Sequence, residues 1–304
     1  MKKYTSSLML LLAAAIWGFA FSAQKAAEAV PAFTIGFARS AVAVIFLIFV
    51  IMAFDRLTKN GRRLFSKENP IDINRTELIG GAVCGVILTA ASSFQQFGIN
   101  AGTDAGKSAF ITALYVVLVP IYALALKKKA PLNVWISVGI AAVGFYFLCI
   151  TGELTIIPSD AIVLVCALIF PIQILAIDRY SPKCDGVRMS MVQFFVMTVL
   201  CAILALIFEG VSSFSLIGSH ILPLLFLGIG SSGIAYTLQI LGQKNANPAA
   251  ASVIMSLESV FGVVGSAIAL NERMSTREYI GCAIVFVAVI LSQLDLFKKS
   301  EAGK

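Results

Sequence analysis

The chain has 304 residues, of which 59% are hydrophobic and only 13% are charged, and its formal net charge is +7. Soluble domains carry about 25% charged residues, so this composition, with a mean hydropathy of +0.93, excludes an ordinary soluble protein. It predicts a membrane protein that crosses the bilayer several times.

Taken in chain order, ten apolar stretches are each long enough to cross a bilayer as a helix, since a hydrocarbon core of about 30 Å needs about 20 residues. None alternates between apolar and polar residues as barrel strands do, which argues against a β-barrel. The predicted spans are residues 6–26, 32–54, 76–99, 105–126, 131–150, 157–177, 187–208, 221–243, 248–270 and 276–296. We therefore predict an all-α integral membrane protein with ten transmembrane helices.

The first stretch also has features of a secretory signal peptide, because two lysines precede an apolar run that small residues follow. Its removal would leave nine spans and would destroy the internal repeat described below. We therefore expect it to be retained as a transmembrane helix.

Lysine and arginine are distributed very unequally over the connecting segments. With the N-terminus in the cytoplasm, 18 of the 23 basic residues lie on the cytoplasmic side, and several of them fall in the loop 55–75. Positively charged loops stay in the cytoplasm, so both termini are predicted to be cytoplasmic in an inner (plasma) membrane. The basic residues then contact lipid headgroups, and no nucleic-acid partner is expected.

The two halves of the chain resemble each other. Residues 106–126 align with residues 249–269 at a shift of 143, and Trp17 aligns with Phe170 at a shift of 153. The matches keep one order over five spans, which chance alignment of apolar helices does not explain. Five is odd, so two copies must face opposite ways, as in many secondary transporters. We predict an inverted 5+5 repeat with units 6–150 and 157–296.

Several residues suggest how the helices pack and bend. Gly81 and Gly85 form a pair of small residues one turn apart, which lets two helices approach closely. Pro120 and Pro171 lie inside predicted spans, where each frees a backbone carbonyl and can kink its helix. Whether these prolines act as hinges or only shape packing stays open at this point.

The six cysteines suggest neither a disulfide framework nor a metal site. Five lie within predicted spans, no CxxC pair is present, and the chain contains a single histidine. We expect the cysteines to be packing residues and predict no metal and no cofactor.

Polar and aromatic side chains interrupt the apolar spans at a few positions. Such side chains are expensive in lipid, so they should face a cavity inside the bundle, although a single glutamine can also bond a neighbouring helix. A cavity of this composition suits a small polar or amphipathic organic molecule. The predicted substrate-binding residues are Trp17, Arg39, Gln96, Tyr115, Phe170, Gln173, Gln193, Tyr236 and Gln239.

Glu258 is the most deeply placed charge, near the centre of the ninth span. The sequence leaves three roles open for it: a structural carboxylate paired with Arg39 or bonded to another helix, a substrate contact, or a proton-coupling group. A neutral, protonated form would avoid the cost of a buried charge.

Enzyme signatures fail on inspection. Residues 230–233 read GSSG, like the nucleophile motif of a membrane serine protease, but His220 lies twelve residues before Ser232. On one helix the two would be about 18 Å apart along the axis, too far for a catalytic pair. No phosphate loop is present, so the chain is expected to be neither an enzyme nor an ATP-driven pump.

Five motifs resemble the EamA family of the drug/metabolite transporter superfamily. They are AAAIWGFAFSAQK (13–25), FARS (37–40), GKSAFITALYVVLVP (106–120), ASVIMSLESVFG (251–262) and ALNERMS (269–275). The resemblance covers nearly the whole chain and implies ten helices built from two five-helix repeats. The sequence departs from the family at Ser259, where the residue after the LE motif is often proline.

Family resemblance and the polar residues together predict a secondary transporter that exports a small organic metabolite by alternating access. Family members transport amino acids and other metabolites or remove toxic amphipathic compounds. The alternatives are an importer or exchanger on the same fold, or a channel or receptor without turnover. The expected partners are a small-molecule substrate and the lipid bilayer, and the protein is expected to be a monomer or a homodimer.

Overall fold

A computed structural model describes residues 2–57, 73–149, 157–244, 246–270 and 275–294. These residues form helices joined by short turns, with no strand among them. The helices are α1 (Lys2–Ala26), α2 (Ala32–Leu57), α3 (Arg75–Asn100), α4 (Ala105–Ala113), α5 (Tyr115–Ala125), α6 (Leu132–Cys149), α7 (Pro158–Tyr180), α8 (Gly186–Phe208), α9 (Leu216–Ser219), α10 (Ile221–Leu225), α11 (Tyr236–Gln243), α12 (Pro248–Met255), α13 (Glu258–Leu270) and α14 (Thr276–Gln293). A π-helix, Phe226–Ala235, connects α10 to α11.

Eight helical segments of the described chain are long and apolar enough to cross a membrane, and two further apolar helices, Leu132–Phe147 and Tyr279–Gln293, are shorter. The outward surface is strongly apolar, with Phe49, Phe208 and Leu222 among its exposed side chains. Exposed apolar surface of this extent is typical of a protein surrounded by lipid. The prediction of an all-helical, multi-pass membrane protein is confirmed. Most of the loop 55–75, predicted to be cytoplasmic, lies outside the described residues.

The contacts between helices are symmetric: a contact of one half with the other has a counterpart in which the equivalent helices have changed places. α2 packs on α8, and α6 packs on α14, so equivalent helices of the two halves contact each other. The contact of α3 with α7 has its counterpart in the contact of α1 with the π-helix and α11. Likewise, α4 and α5 pack on α7 as α12 and α13 pack on α1. Each half therefore completes its packing only against the other half.

The end contacts give the direction of each helix. Backbone N–H groups of Phe33 and Thr34, at the start of α2, each donate to Glu209 just beyond α8 at 2.8 Å, so these helices are antiparallel. Gly98 packs on Val163 and Gly80 on Tyr180, so α3 and α7 are also antiparallel.

Ion pairs fix α4 and α5 parallel to α7. Lys107 pairs with Asp160 where α4 and α7 begin, and Lys128 pairs with Asp178 where α5 and α7 end. We call the end of the bundle that carries Lys128 the basic end, and the other the opposite end. α1 and α3 run from the basic end towards the opposite end, and α7 and α11 run the reverse way.

Two equivalent predicted spans are irregular in the middle, where the backbone stays right-handed helical but N–H groups bond the i−3 carbonyl. The fourth span is divided at Leu114, between α4 and α5, and the ninth at Ser256 and Leu257, between α12 and α13. Pro120 and Pro171 instead lie inside α5 and α7 without ending them. The ninth span is therefore interrupted before Ser259, although that position lacks the family's proline.

Replacement of Gly85 with alanine should destabilise the bundle, because a Cβ there would lie 2.6 Å from the backbone oxygen of Gln193 on α8. Overpacking of this kind typically costs about 1–3 kcal/mol, and we expect a lower melting temperature of the detergent-purified protein. The matched control is Gly139→Ala in α6, where a Cβ would meet nothing within 4 Å. Equal melting temperatures for the two variants would contradict this packing.

Candidate functional site

A cavity of about 470 Å³ lies between the halves and takes side chains from α1, α2, α3, α4, α5, α7, the π-helix, α11, α12 and α13. The cavity is lined by Trp17, Ala20, Phe21, Gln24, Arg39, Gln95, Thr112, Tyr115, Phe170, Gln173, Ile174, Ser231, Tyr236, Gln239, Met255 and Glu258. Of these described lining residues, Arg39 is the only cation and Glu258 the only carboxylate.

The guanidinium of Arg39 is held by two neighbouring hydroxyl groups. Its Nε donates to Ser232 Oγ at 2.9 Å and its Nη2 donates to Ser231 Oγ at 2.8 Å. Both serines lie in the π-helix, which Gly228 lets pack directly on α2: a Cβ there would lie 2.5 Å from Val42. The serines of the GSSG stretch therefore position Arg39.

Among the described residues, the charge of Arg39 has no acidic counterpart within ion-pair distance. The side chain is 5% exposed, and no ion pair within 4.0 Å joins it to Glu258 or to any other described carboxylate. A pairing of Arg39 with Glu258 is thus not the arrangement in this structure. Because a buried charge is stabilised mainly by an opposite charge, the site is suited to an anionic group on a ligand.

Glu258 opens α13 directly after the irregular turn in the ninth span. Its side chain is 4% exposed and lines the cavity, and its Oε1 is buried without a hydrogen-bond partner among the described residues. Buried polar atoms are usually bonded, so an unbonded carboxyl oxygen facing a cavity indicates a position that a ligand, water or proton serves.

Aromatic side chains form one wall of the cavity. Trp17 and Tyr236 meet edge to face with ring centroids 4.8 Å apart, and Phe194 supports Tyr236 from behind at 5.5 Å. Trp17 Nε1 is buried without a partner within the described part of the chain, and the buried hydroxyl group of Tyr115 lies close to the carboxyl group of Glu258. The wall thus offers apolar faces together with the indole N–H of Trp17 and the hydroxyl group of Tyr115.

Two glutamine pairs lie at the two ends of the cavity. At the opposite end, Gln24 Nε2 of α1 donates to Gln95 Oε1 of α3 at 3.3 Å. Towards the basic end, Gln173 of α7 and Gln239 of α11 exchange hydrogen bonds of 3.5 and 3.3 Å. We call these the opposite-end pair and the basic-end pair.

The structure brings most of the predicted site residues together. Seven of the nine line the cavity beside Glu258: Trp17, Arg39, Tyr115, Phe170, Gln173, Tyr236 and Gln239. Gln96 instead lines a smaller pocket of about 210 Å³ that it shares with Arg39. Gln193 lines neither pocket, and both polar atoms of its amide are buried without partners among the described residues. That any of them binds substrate stays a prediction.

The predicted set of site residues omits four polar residues of the lining: Gln24, Gln95, Thr112 and Ser231. Gln95 and Thr112 bond each other at 3.0 Å, and Ser231 bonds Arg39. Gln24 lies so near the end of α1 that it is easily taken for an interfacial residue. A search for polar residues two turns from Trp17 on the same face of α1 would have found Gln24 but not Ser231, which only the tertiary fold brings near.

No group of three or more potential metal-ligating side chains is found in the ranges that the structure describes. The cavity's donors are amides, hydroxyls, one guanidinium and one carboxyl group. This set suits hydrogen bonding to an organic molecule.

Comparisons with known proteins agree with this architecture. The model of the EamA-like transporter family matches residues 5–150 and again residues 157–294. An uncharacterized transporter of Archaeoglobus fulgidus is 29% identical over 295 residues, which cover 96% of this chain and 87% of that protein. A crystal structure of another protein, 17% identical, superposes with a TM-score of 0.73 over 95% of this chain and 96% of its own, and shows the same fold.

These findings confirm the family resemblance that the motifs indicated. The family match is carried by both halves of the chain, and the described helices have the length and composition of membrane spans. The chain is therefore a multi-pass membrane transporter and belongs to the EamA-like transporter family.

Proposed function

We propose that this protein is a secondary transporter that exports a small organic metabolite, of the amino acid or a related class, by alternating access. The observation that carries the proposal is the cavity between the halves, in which a buried cation and a buried carboxyl group lie beside aromatic rings and form no ion pair with any described residue. The alternative substrate, a toxic amphipathic compound, would use the same aromatic wall but would leave at least one charged group unmatched.

We further propose ten membrane spans arranged as an inverted 5+5 repeat. The directions of the helices support this arrangement, since α1 and α3 run against their equivalents α7 and α11, and α2 runs against α8. The shorter apolar helices α6 and α14 would supply the fifth and tenth spans. The cavity then lies at the interface of the repeats, where inverted-repeat transporters bind substrate.

The charges of the cavity favour a zwitterionic substrate. A ligand carboxylate would accept hydrogen bonds from Arg39, which has spare donors beyond the two that its serines occupy. A ligand ammonium would satisfy Glu258. An apolar side chain on the ligand would pack on the rings of Trp17 and Tyr236.

The membrane orientation and the transport direction are also parts of this proposal. Basic residues at the ends of α5, α7 and α11 gather at one end of the bundle and support a cytoplasmic location for that end and for both termini, in the inner membrane. The smaller pocket continues from Arg39 towards Ala32, at the start of α2 and the opposite end. This extension supports a release route to the outside.

Counterflow in proteoliposomes tests the function. Vesicles loaded with unlabelled amino acids should transiently accumulate a labelled amino acid mixture, because a carrier shows trans-stimulated exchange. Competitors that lack either the carboxylate or the ammonium should inhibit about tenfold or more less strongly than the parent amino acid, since each omits a hydrogen bond to a charged group.

Other outcomes of this assay point to the alternatives. Flux without trans-stimulation would indicate a channel. Competition by lipophilic cations alone would indicate that the substrate is a toxic amphipathic compound. Efflux of labelled metabolites from cells with and without the gene separates an exporter from an importer or exchanger.

A further inference from the structure

We propose that the two glutamine pairs are the alternating gates of the cavity, the opposite-end pair closing it towards the outside and the basic-end pair closing it towards the cytoplasm. This inference rests on the proposed transport function and identifies the contacts that open and close during transport. All four amides line the cavity, two at each end.

The pairs join equivalent helices of the two halves. The opposite-end pair links α1 to α3, the first and third helical spans of the first half. The basic-end pair links α7 to the helical segment containing α11, which are the first and third of the second half. Because the halves run in opposite directions, the same link falls at opposite ends of the cavity, as alternating access requires.

Each pair is also supported by a second bond of the same kind across the same two helices. At the opposite end, Gln96 Nε2 of α3 donates to the backbone oxygen of Gln24 in α1 at 3.5 Å. At the basic end, Gln243 Nε2 of α11 donates to the backbone oxygen of Ile174 in α7 at 3.2 Å. Gln96, which does not line the main cavity, thus supports the opposite-end pair through this bond. Two gates that open in turn during a transport cycle are expected to have the same composition, as these two contacts do.

The chemistry of the pairs suits contacts that break and re-form. Neutral amides separated by 3.3–3.5 Å form weak hydrogen bonds, and their separation exposes no charge. Gln24 Oε1 remains without a partner among the described residues, so this amide has spare capacity for water or substrate.

Ion pairs mark the contacts that are expected to stay closed. Lys107–Asp160 and Lys128–Asp178 tie α4 and α5 to α7 at both ends of the bundle. Thr103 Oγ1 adds a hydrogen bond to Asp160 at 3.1 Å. We expect these ion pairs to hold α4 and α5 against α7, whereas the described polar contacts between α1 and α3 and between α7 and α11 are hydrogen bonds of amide groups.

Accessibility of a cavity cysteine tests the gates without knowledge of the substrate. Ala20 lines the cavity one turn from Gln24 and is 2% exposed, so Ala20→Cys is a small change and a suitable reporter. An impermeant, positively charged methanethiosulfonate reagent is applied to right-side-out and to inside-out vesicles. Labelling of the protein that retains Ala20 gives the background from its native cysteines.

The two gate variants should shift the labelling in opposite directions. Gln24→Ala should raise labelling from the outside about fivefold and lower it from the cytoplasmic side, as expected when one hydrogen bond of ordinary strength is lost from one closed state. Gln173→Ala should do the reverse. The matched control is Gln293→Ala, which removes a 3.0 Å interhelical bond to Ser7 away from the cavity and should leave both rates unchanged.

The outcomes separate the gates from the transport proposal. Shifts of the same sign in both variants, or no shift, would show that the amides only hold the bundle together, whatever counterflow shows. Opposed shifts with no amino acid counterflow would support the gates and refute the proposed substrate. If an alanine variant inserts poorly, Gln24→Asn and Gln173→Asn keep an amide but shorten it by one methylene, and the same opposed shifts are expected.

Discussion

Replacement of Arg39 with glutamine is expected to lower transport by about a hundredfold while the amount of protein in the membrane stays close to normal. Arg39 is the only cation among the described residues of the cavity lining, and two serine hydroxyls hold its guanidinium there. Loss of one partner of a buried, charge-assisted contact typically costs about 2–5 kcal/mol, which corresponds to this reduction. Initial rates of counterflow, normalised to the protein level, measure it.

Two variants show whether the geometry of Arg39 matters as well as its charge. Arg39→Lys keeps a positive charge but lacks the planar fork, and it should retain an intermediate rate. Ser231→Ala leaves the guanidinium with one bond fewer and should reduce transport only several-fold. Normal transport by Arg39→Gln would show that the substrate carries no anionic group at this position.

Replacement of Glu258 with glutamine should reduce net transport at least tenfold without preventing insertion. Glutamine keeps the shape and hydrogen bonding of the side chain but cannot ionise. Arg39 is held elsewhere, and the Tyr115 hydroxyl group beside Glu258 can donate to the amide oxygen of glutamine as it can to a carboxyl oxygen, so few structural contacts are lost. Proteoliposome assays of net flux and of exchange, with the protein level determined in the same membranes, measure the change.

Exchange identifies the role that Glu258 plays. Lost net flux with intact exchange indicates coupling to protons, because exchange does not require the carrier to return empty. Loss of both indicates a contact with the substrate ammonium. Full activity in both assays would contradict either functional role, and poor insertion of Glu258→Gln would favour a structural carboxylate.

Membrane spans and most of the cavity could be predicted because lipid penalises polar groups strongly. A Trp17, Phe170 or Gln239 inside an apolar stretch stands out in the sequence, and all three line the cavity. The same rule cannot separate a cavity glutamine from one that is buried elsewhere in the bundle. Gln193 follows the same pattern as Gln173, yet it lies away from both described pockets.

Features that depend on tertiary contacts could not be predicted in this way. The division between α4 and α5 occurs at Leu114, where the local sequence contains neither glycine nor proline, and the one between α12 and α13 occurs at Ser256 and Leu257. The sequence left open a pairing of Arg39 with Glu258, but two hydroxyl groups of the π-helix bind the guanidinium of Arg39 instead. Ser231 and Ser232 lie nearly 200 positions after Arg39 in the sequence, so the residues around Arg39 give no sign of this contact.

The symmetric helix contacts between the two halves hold the bundle together. Each half makes its main contacts with the other, through α2 on α8, α3 on α7 and α6 on α14, so the peptide link between them adds little to the packing. Two separate polypeptides, one for each half, should therefore find each other in a bilayer and rebuild the same bundle, provided that they insert with opposite orientation. Under the proposed inverted 5+5 repeat, a single five-span chain able to insert both ways would meet that condition with two copies of itself, without a peptide link between them.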